Sequence, residues 1–182
     1  ITIEGFTLIG TNNAATSRAG IRIVGDGDDD GVFSTGVIVR NNRADRWGYW
    51  GILTGFTDDI LIQGNECSRS VQEHGIYFSN SGDRPTIRGN KVWGNRANGI
   101  HMNGDIFTGN TNLPNVDGII SGAVVERNII FGNGVGGGSG INCDGVQDSI
   151  IRNNLLYDNH ASGIALYRID GGGPATNNTI VN

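Results

Sequence analysis

The sequence predicts an all-β chain folded as a right-handed parallel β-helix, a solenoid of about six coils with an internal asparagine ladder. Three observations predict it. The dipeptide Gly-Ile recurs at Gly20-Ile21, Gly51-Ile52, Gly75-Ile76, Gly99-Ile100, Gly140-Ile141 and Gly163-Ile164. An asparagine recurs between these pairs, at Asn42, Asn65, Asn90, Asn128, Asn154 and Asn178, with spacings of 23, 25, 38, 26 and 24 residues. A period in the twenties marks stacked repeats. Between the markers, apolar and polar residues alternate with the period of a strand, as in Thr86-Ile87-Arg88 and Ile76-Tyr77-Phe78. With 31 glycines in 182 residues, a helical solenoid is excluded, because such a density breaks every helix-length window.

Each element follows from the same physics. In the cycle from Glu73 to Asn103, Ile87 and Val92 point inward while Thr86, Arg88 and Lys91 point outward. The segments Ile60 to Cys67, Val124 to Ile130 and Ile150 to Leu156 repeat this pattern. Each Gly-Ile opens a further short strand with apolar first and third residues. Such strands bury too little alone, so they stack coil on coil as parallel sheets spaced about 4.8 Å apart. The right-handed rule for parallel crossovers sets the hand. Phe6 stands where later coils carry Asn, so the ladder is expected to start at Asn42.

The 182 residues fit a single domain, 1–182, which starts in mid-pattern at Ile1 and is expected to be part of a longer helix. Two insertions interrupt it, at 25–35 and 104–121. Both follow a Gly-Ile strand, so both are expected along one edge, where sites are usually built. The net charge of −5 and the lack of a Lys/Arg run argue against a nucleic-acid partner. No apolar run is long enough to insert in a membrane. Cys67 and Cys143 fall at core-facing places in non-adjacent coils and read as small buried hydrophobes. Nothing in the sequence sets the oligomeric state.

The repeated Gly-Ile-x-apolar pattern, joined to apolar-x-x-Asn and exemplified by HGIYFSN at His74 and GIHMN at Gly99, resembles the right-handed parallel β-helix repeats of the pectin-lyase-like superfamily. The resemblance covers essentially the whole chain. It implies a secreted, extracellular or cell-surface protein whose partner is a polysaccharide or oligosaccharide, and a lyase- or hydrolase-like activity. The Asn-Thr-Asp signature of polygalacturonases, the Tyr-Gly-Phe-Asp-Pro-His signature of epimerases and the Arg-containing signatures of pectate lyases are not present, and fold does not carry function without a site.

Register places the candidate site. After each Gly-Ile, one outward column reads Arg22, Leu53, Tyr77, His101, Asn142, Ala165; two residues on, a second reads Val24, Gly55, Ser79, Asn103, Asp144, Tyr167. His101 and Asp144 lie on neighbouring coils, roughly 8 Å apart at Cα. A His beside a carboxylate can act as a general base, and Tyr167 and Arg168 can assist elimination from a uronic acid. His101, Asp144, Tyr167 and Arg168 are therefore the candidate catalytic residues. Tyr77, Asn103, Asn142 and the turn residue His74 are the candidate substrate-binding residues. Trp93, Phe131 and Tyr157 form another outward aromatic column, which either stabilises neighbouring strands or stacks on sugars. In the 25–35 insertion, Asp26-Gly27-Asp28-Asp29-Asp30-Gly31 matches the start of a calcium loop. Asp26, Asp28, Asp30 and the Val32 carbonyl are the candidate calcium ligands, although the twelfth place, normally a bidentate acid, is Val37. The alternatives are an acidic solvated turn for this loop and, for the whole chain, a non-catalytic carbohydrate-binding, adhesin or surface-structural module. Periplasmic delivery of a metal or other cargo lacks the Met/His/Cys clusters it would need.

Overall fold

A computed structural model describes residues 1–182 and shows three parallel sheets wound into a right-handed β-helix. The first sheet has seven strands: Thr2–Glu4, Ile38–Arg40, Leu61–Gln63, Thr86–Arg88, Val124–Glu126, Ile150–Arg152 and Thr179–Val181. The second has six: Thr7–Ile9, Arg43–Asp45, Glu66–Ser68, Lys91–Trp93, Ile129–Phe131 and Leu155–Tyr157. The third carries the Gly-Ile strands: Ala19–Val24, Trp50–Gly55, Ile76–Ser79, Ile100–Asn103, Ile141–Asp144 and Ile164–Tyr167. There is no helix, and so none long and apolar enough to cross a membrane.

The core is a set of rows, one side chain per coil. Val39, Ile62, Ile87, Val125 and Ile151 stack in register along the first sheet, and Ala44, Cys67, Val92 and Ile130 along the second. Ile21, Ile52, Ile76, Ile100, Ile141 and Ile164 stack along the third. These rows make up most of a cluster of 23 buried apolar residues. Each fully buried Ile contributes about 1.5–3 kcal/mol of burial free energy, so a narrow core suffices when every coil supplies several. Both cysteines are free thiols inside this core.

The two residue types that mark the repeat have separate physical causes. A Cβ on Gly75 would lie 2.3 Å from the Val92 side chain and 2.9 Å from the Gly99 carbonyl oxygen, so the motif glycine lets one coil settle on the next. The asparagines fill the corner between the first and second sheets. From Asn42 through Asn65, Asn90 and Asn128 to Asn154, each Nδ2 donates to the next Oδ1 at 3.0–3.1 Å. The same Oδ1 accepts the backbone N–H of the preceding Asn at 2.9–3.0 Å. At the start, Phe6 N–H donates to Asn42 Oδ1 at 3.0 Å. The residue before each ladder Asn has positive φ, as at Gly64 (63°) and Gly89 (62°), which turns the chain sharply enough to point the amide inward.

Asn178 is not part of this ladder. It precedes the strand Thr179–Val181 instead of following it, so it stacks beneath Ser149, whose N–H donates to its Oδ1 at 3.1 Å. Its spacing of 24 residues from Asn154 coincides with the repeat but belongs to a different corner. A second ladder lies after the second sheet, where Asn95 Nδ2 donates to Asn133 Oδ1 at 2.9 Å and Asn133 Nδ2 to Asn159 Oδ1 at 3.0 Å.

Candidate functional site

The outward face of the third sheet collects the candidate residues because its register is regular. Arg22, Leu53, Tyr77, His101, Asn142 and Ala165 are successive partners across it, and Gly55, Ser79, Asn103, Asp144 and Tyr167 form the neighbouring column. Trp50, Tyr77 and His101 stack on one another, with ring centres 6.0 and 5.1 Å apart and planes inclined by 21° and 27°.

Three segments wall one edge of this face. Asn110 N–H donates to the Gly27 carbonyl at 2.7 Å, and Asn115 Nδ2 to the Gly31 carbonyl at 2.7 Å, which ties the 104–121 insertion to the 25–35 insertion. Ile106 N–H donates to the Asp170 carbonyl at 2.9 Å, and Gly172 N–H to the Gly118 carbonyl at 2.7 Å, adding the turn after Tyr167 to the wall. Within the first insertion the acids hold their own loop. Asp26 Oδ1 accepts N–H from Asp28 and Asp29 at 2.8 and 3.0 Å, and Asp30 Oδ1 accepts N–H from Val32 at 2.9 Å. No group of three His, Cys, Asp or Glu side chains is arranged there or elsewhere in the chain to hold a metal ion.

The histidines form a directed chain. Asn98 backbone N–H donates to His74 Nδ1 at 3.1 Å, so that nitrogen is the acceptor and the proton of a neutral His74 sits on Nε2. His74 Nε2 then faces His101 Nδ1 at 3.0 Å and Glu73 Oε2 at 3.3 Å. His101 Nδ1 accepts, and its own proton sits on Nε2, which is closed to solvent and has no partner. Burial holds His74 well below the usual imidazole range. It also lowers His101 to about 4, against a smaller upward pull from Asp144. Both rings are therefore neutral near pH 7. His101 keeps a buried, unpaired N–H and has no free lone pair with which to abstract a proton.

The other candidates are placed as follows. Asp144 is buried, and its carboxylate accepts the backbone N–H groups of Ile169, Asp170 and Gly171 at 2.8–3.1 Å, fixing the turn of the wall. Arg168 belongs to that turn, its guanidinium donating to the Gly171 and Gly172 carbonyls at 3.3 and 3.4 Å. Asn142 Nδ2 donates to Tyr167 Oη at 2.6 Å, while Asn142 Oδ1 is buried without a partner. Asn103 Nδ2 donates to Tyr77 Oη at 3.1 Å. Burial pushes the Tyr77 phenol up to about 12, so it stays protonated.

Residues that the repeat pattern did not single out complete the face. Trp50 lines a cavity of about 410 Å³ with Arg18, Ala19, Arg22 and Leu53. The Arg18 guanidinium lies 5.0 Å from the centre of the Tyr49 ring. The Trp50 indole N–H is closed to solvent and has no partner. A sequence signal existed in Arg22 and Trp50, one in the outward column and one beside a motif glycine, but only the coil-on-coil stacking brings them together with Arg18.

Residues 2–136 match the family model described as periplasmic copper-binding protein (NosD). The chain belongs to the NosD family. No curated protein sequence matches it significantly. Among solved structures it is similar to an alginate lyase from Paenibacillus sp. strain FPU-7, with TM-score 0.66 and 13% identity over 97% of this chain and 55% of that one. It is also similar to the A-module of the mannuronan C-5 epimerase AlgE4 from Azotobacter vinelandii, with TM-score 0.59 and 15% identity over 97% of this chain and 54% of that one. A third similar structure is the Streptococcus pneumoniae surface protein and adhesin PfbA, with TM-score 0.53 and 13% identity over 100% of this chain and 49% of that one. The chain thus spans about half the length of these proteins. At such identities the likeness shows the β-helix fold alone.

The copper in the NosD family description can be tested against the donors present. Copper favours His, Cys and Met side chains. Cys67, Cys143 and Met102 lie in the core, and burial raises both thiols, Cys143 to about 12. His74 and His101 are hydrogen-bonded to each other. His160 stands exposed on the surface, remote from them in the chain. These residues do not assemble a copper site.

Proposed function

We propose that this NosD-family chain is an exported β-helix that engages a polysaccharide along the outward face of its third sheet. The observation that carries the reading is the unbroken in-register column from Arg22 through Leu53, Tyr77 and His101 to Asn142, with a cavity at one end and a wall of three segments along one edge. A long face bounded on one side fits a linear polymer. Flat rings and a few unpaired polar groups are what sugar recognition needs. The polysaccharide-active proteins that share the fold support the same class of partner.

In this reading a local side-chain shift opens the buried His101 Nε2–H, which then donates to a sugar oxygen. In any cleavage step it would stabilise negative charge developing on that oxygen, in the manner of an oxyanion-hole donor. Tyr77, Asn103 and Asn142 shape the site around it. Asp144 and Arg168 act indirectly by fixing the wall. Copper delivery, the reading suggested by the family description, is disfavoured by the donor arrangement.

The test is a panel of acidic and neutral polysaccharides, scored for retention, for unsaturated products at 235 nm and for new reducing ends. The wild-type chain is expected to retain at least one polymer, and His101→Ala to lose it while remaining folded. Absence of retention across the panel, or saturable copper uptake lost with His74→Ala and His101→Ala, would overturn the proposal.

A further inference from the structure

The cavity at the first end of the third-sheet face is lined by side chains that donate or are apolar. Arg18 and Arg22 bring guanidinium groups, Trp50 its ring, and Ala19 and Leu53 only carbon. No side-chain acceptor is among them. Neither arginine has a carboxylate partner, whereas Arg40, Arg69, Arg84 and Arg152 elsewhere on the helix are each bonded to an acid at 2.5–3.1 Å. The chain as a whole carries −5, so this cationic hollow runs against its net charge. The unsatisfied, solvent-excluded Trp50 N–H adds an independent mark, since buried donors are normally paired.

A group that fits must bring acceptor atoms and negative charge, and it must tolerate an apolar wall. A carboxylate matches the arginine fork, and the C–H face of a sugar ring matches Trp50 and Leu53. Another hollow with two arginines, Arg88 and Arg127 on the first sheet, has no apolar residue in its lining and offers a ring nothing to lie against.

We propose that the Arg18/Arg22/Trp50/Leu53 cavity is a uronate subsite, in which the two arginines bind the carboxylate of an acidic oligosaccharide whose ring rests on Trp50 and Leu53. Arg22 and His101 stand three strand steps apart in one column, about 14 Å, so a ligand touching both is an oligomer and not a single sugar. The inference rests on the third-sheet face being the saccharide site and adds the chemical class that face selects.

The experiment is calorimetric titration with an oligouronate and with its carboxyl-reduced, neutral counterpart. The proteins are the wild-type chain, the Arg18→Gln/Arg22→Gln double variant, Trp50→Phe, and Arg127→Gln as a control on the first sheet. Melting temperatures show that each is folded. The wild type is expected to prefer the acidic ligand by about tenfold or more, as loss of charge-assisted hydrogen bonds would require. The double variant should lose about that factor for the acidic ligand and keep its affinity for the neutral one. Trp50→Phe, which keeps a ring and removes the N–H, should weaken both ligands by less, and Arg127→Gln should change neither. Equal affinity for the two ligands, or an unaltered double variant, overturns the uronate subsite while leaving saccharide binding intact. Absence of binding by either ligand overturns the functional reading itself, and this inference with it.

Discussion

Two faces of this β-helix carry aromatic columns in strict register, and they differ in what is left unpaired. On the second sheet, Trp93, Phe131 and Tyr157 stack with ring centres 6.0 and 4.8 Å apart and planes within 7° and 3°. The Phe131 ring lies between the other two, while Tyr157 at the end of the column is exposed. Their polar neighbours are satisfied. Trp93 Nε1–H donates to Glu66 at 3.1 Å, Arg69 sits 5.1 Å over the Trp93 ring, and the same Arg69 binds buried Asp45 through both carboxylate oxygens. On the third sheet, Trp50, Tyr77 and His101 stack at larger angles, and three polar atoms on or beside the stack lack partners: Trp50 Nε1, His101 Nε2 and Asn142 Oδ1. A saturated aromatic column is a strut. A column with buried orphan donors beside a cavity is the face that the proposed function assigns to a ligand.

The largest effect that separates the faces is expected from Arg69→Ala. It removes the bidentate partner of the buried Asp45 carboxylate, which keeps Ser68 and the longer contacts to Arg43 and Arg46, and should cost about 1.5–3 kcal/mol in chemical denaturation while leaving saccharide affinity unchanged. His101→Ala should cost about a hundredfold in saccharide affinity, with a smaller loss of stability than Arg69→Ala. A loss of affinity in Arg69→Ala would erase the distinction. Phe131→Ala removes two ring contacts from the strut and should cost about 1–3 kcal/mol of stability, again without a change in binding.

The faces should also part company with pH. The neutral state of His101 is favoured on folding, because burial lowers its pKa from 6.5 to about 4. Between those values the unfolded chain takes up a proton that the folded chain refuses. The third face therefore contributes its full stability above pH 6.5 and loses it as pH falls toward 4, with a slope of up to about 1.4 kcal/mol per pH unit per imidazole. On the second face, burial pushes the Asp45 carboxyl up, but the bonds from Arg69 and Ser68 outweigh it and leave it below 3.8. Its contribution is present above that value and is lost only at more acid pH. Urea titrations should show His101→Phe reducing the slope of the pH 4–6.5 limb, to which His74 also contributes, and Arg69→Ala flattening the limb below it.

Much of this was legible in the residues because it is local or strictly periodic. The Gly-Ile pairs mark strands whose partners are those the alignment of motifs assigns, Ile52 with Ile76 and His101 with Asn142 among them. Phe6 occupies the first rung of the asparagine corner, as its place in the repeat suggests. What escaped depends on contacts that periodicity does not encode. Asn178 repeats at the right spacing but enters its coil on the other side of a strand. Asp144 lies in the outward column, yet its carboxylate is claimed by amides 25 to 27 residues away. His74 sits in a turn, and nothing in its neighbours announces the 3.0 Å contact that sets the His101 tautomer. Arg18 and Trp50 are separated by a whole coil and meet only once the coils stack.

The central claim, that the third-sheet face binds and the second-sheet face supports, is tested most directly by hydrogen–deuterium exchange with and without a saturating oligouronate. The account predicts added protection in peptides covering 18–24, 49–55, 76–79 and 100–103, with peptides covering 91–93, 129–131 and 155–157 unchanged. Protection confined to the latter group would contradict it.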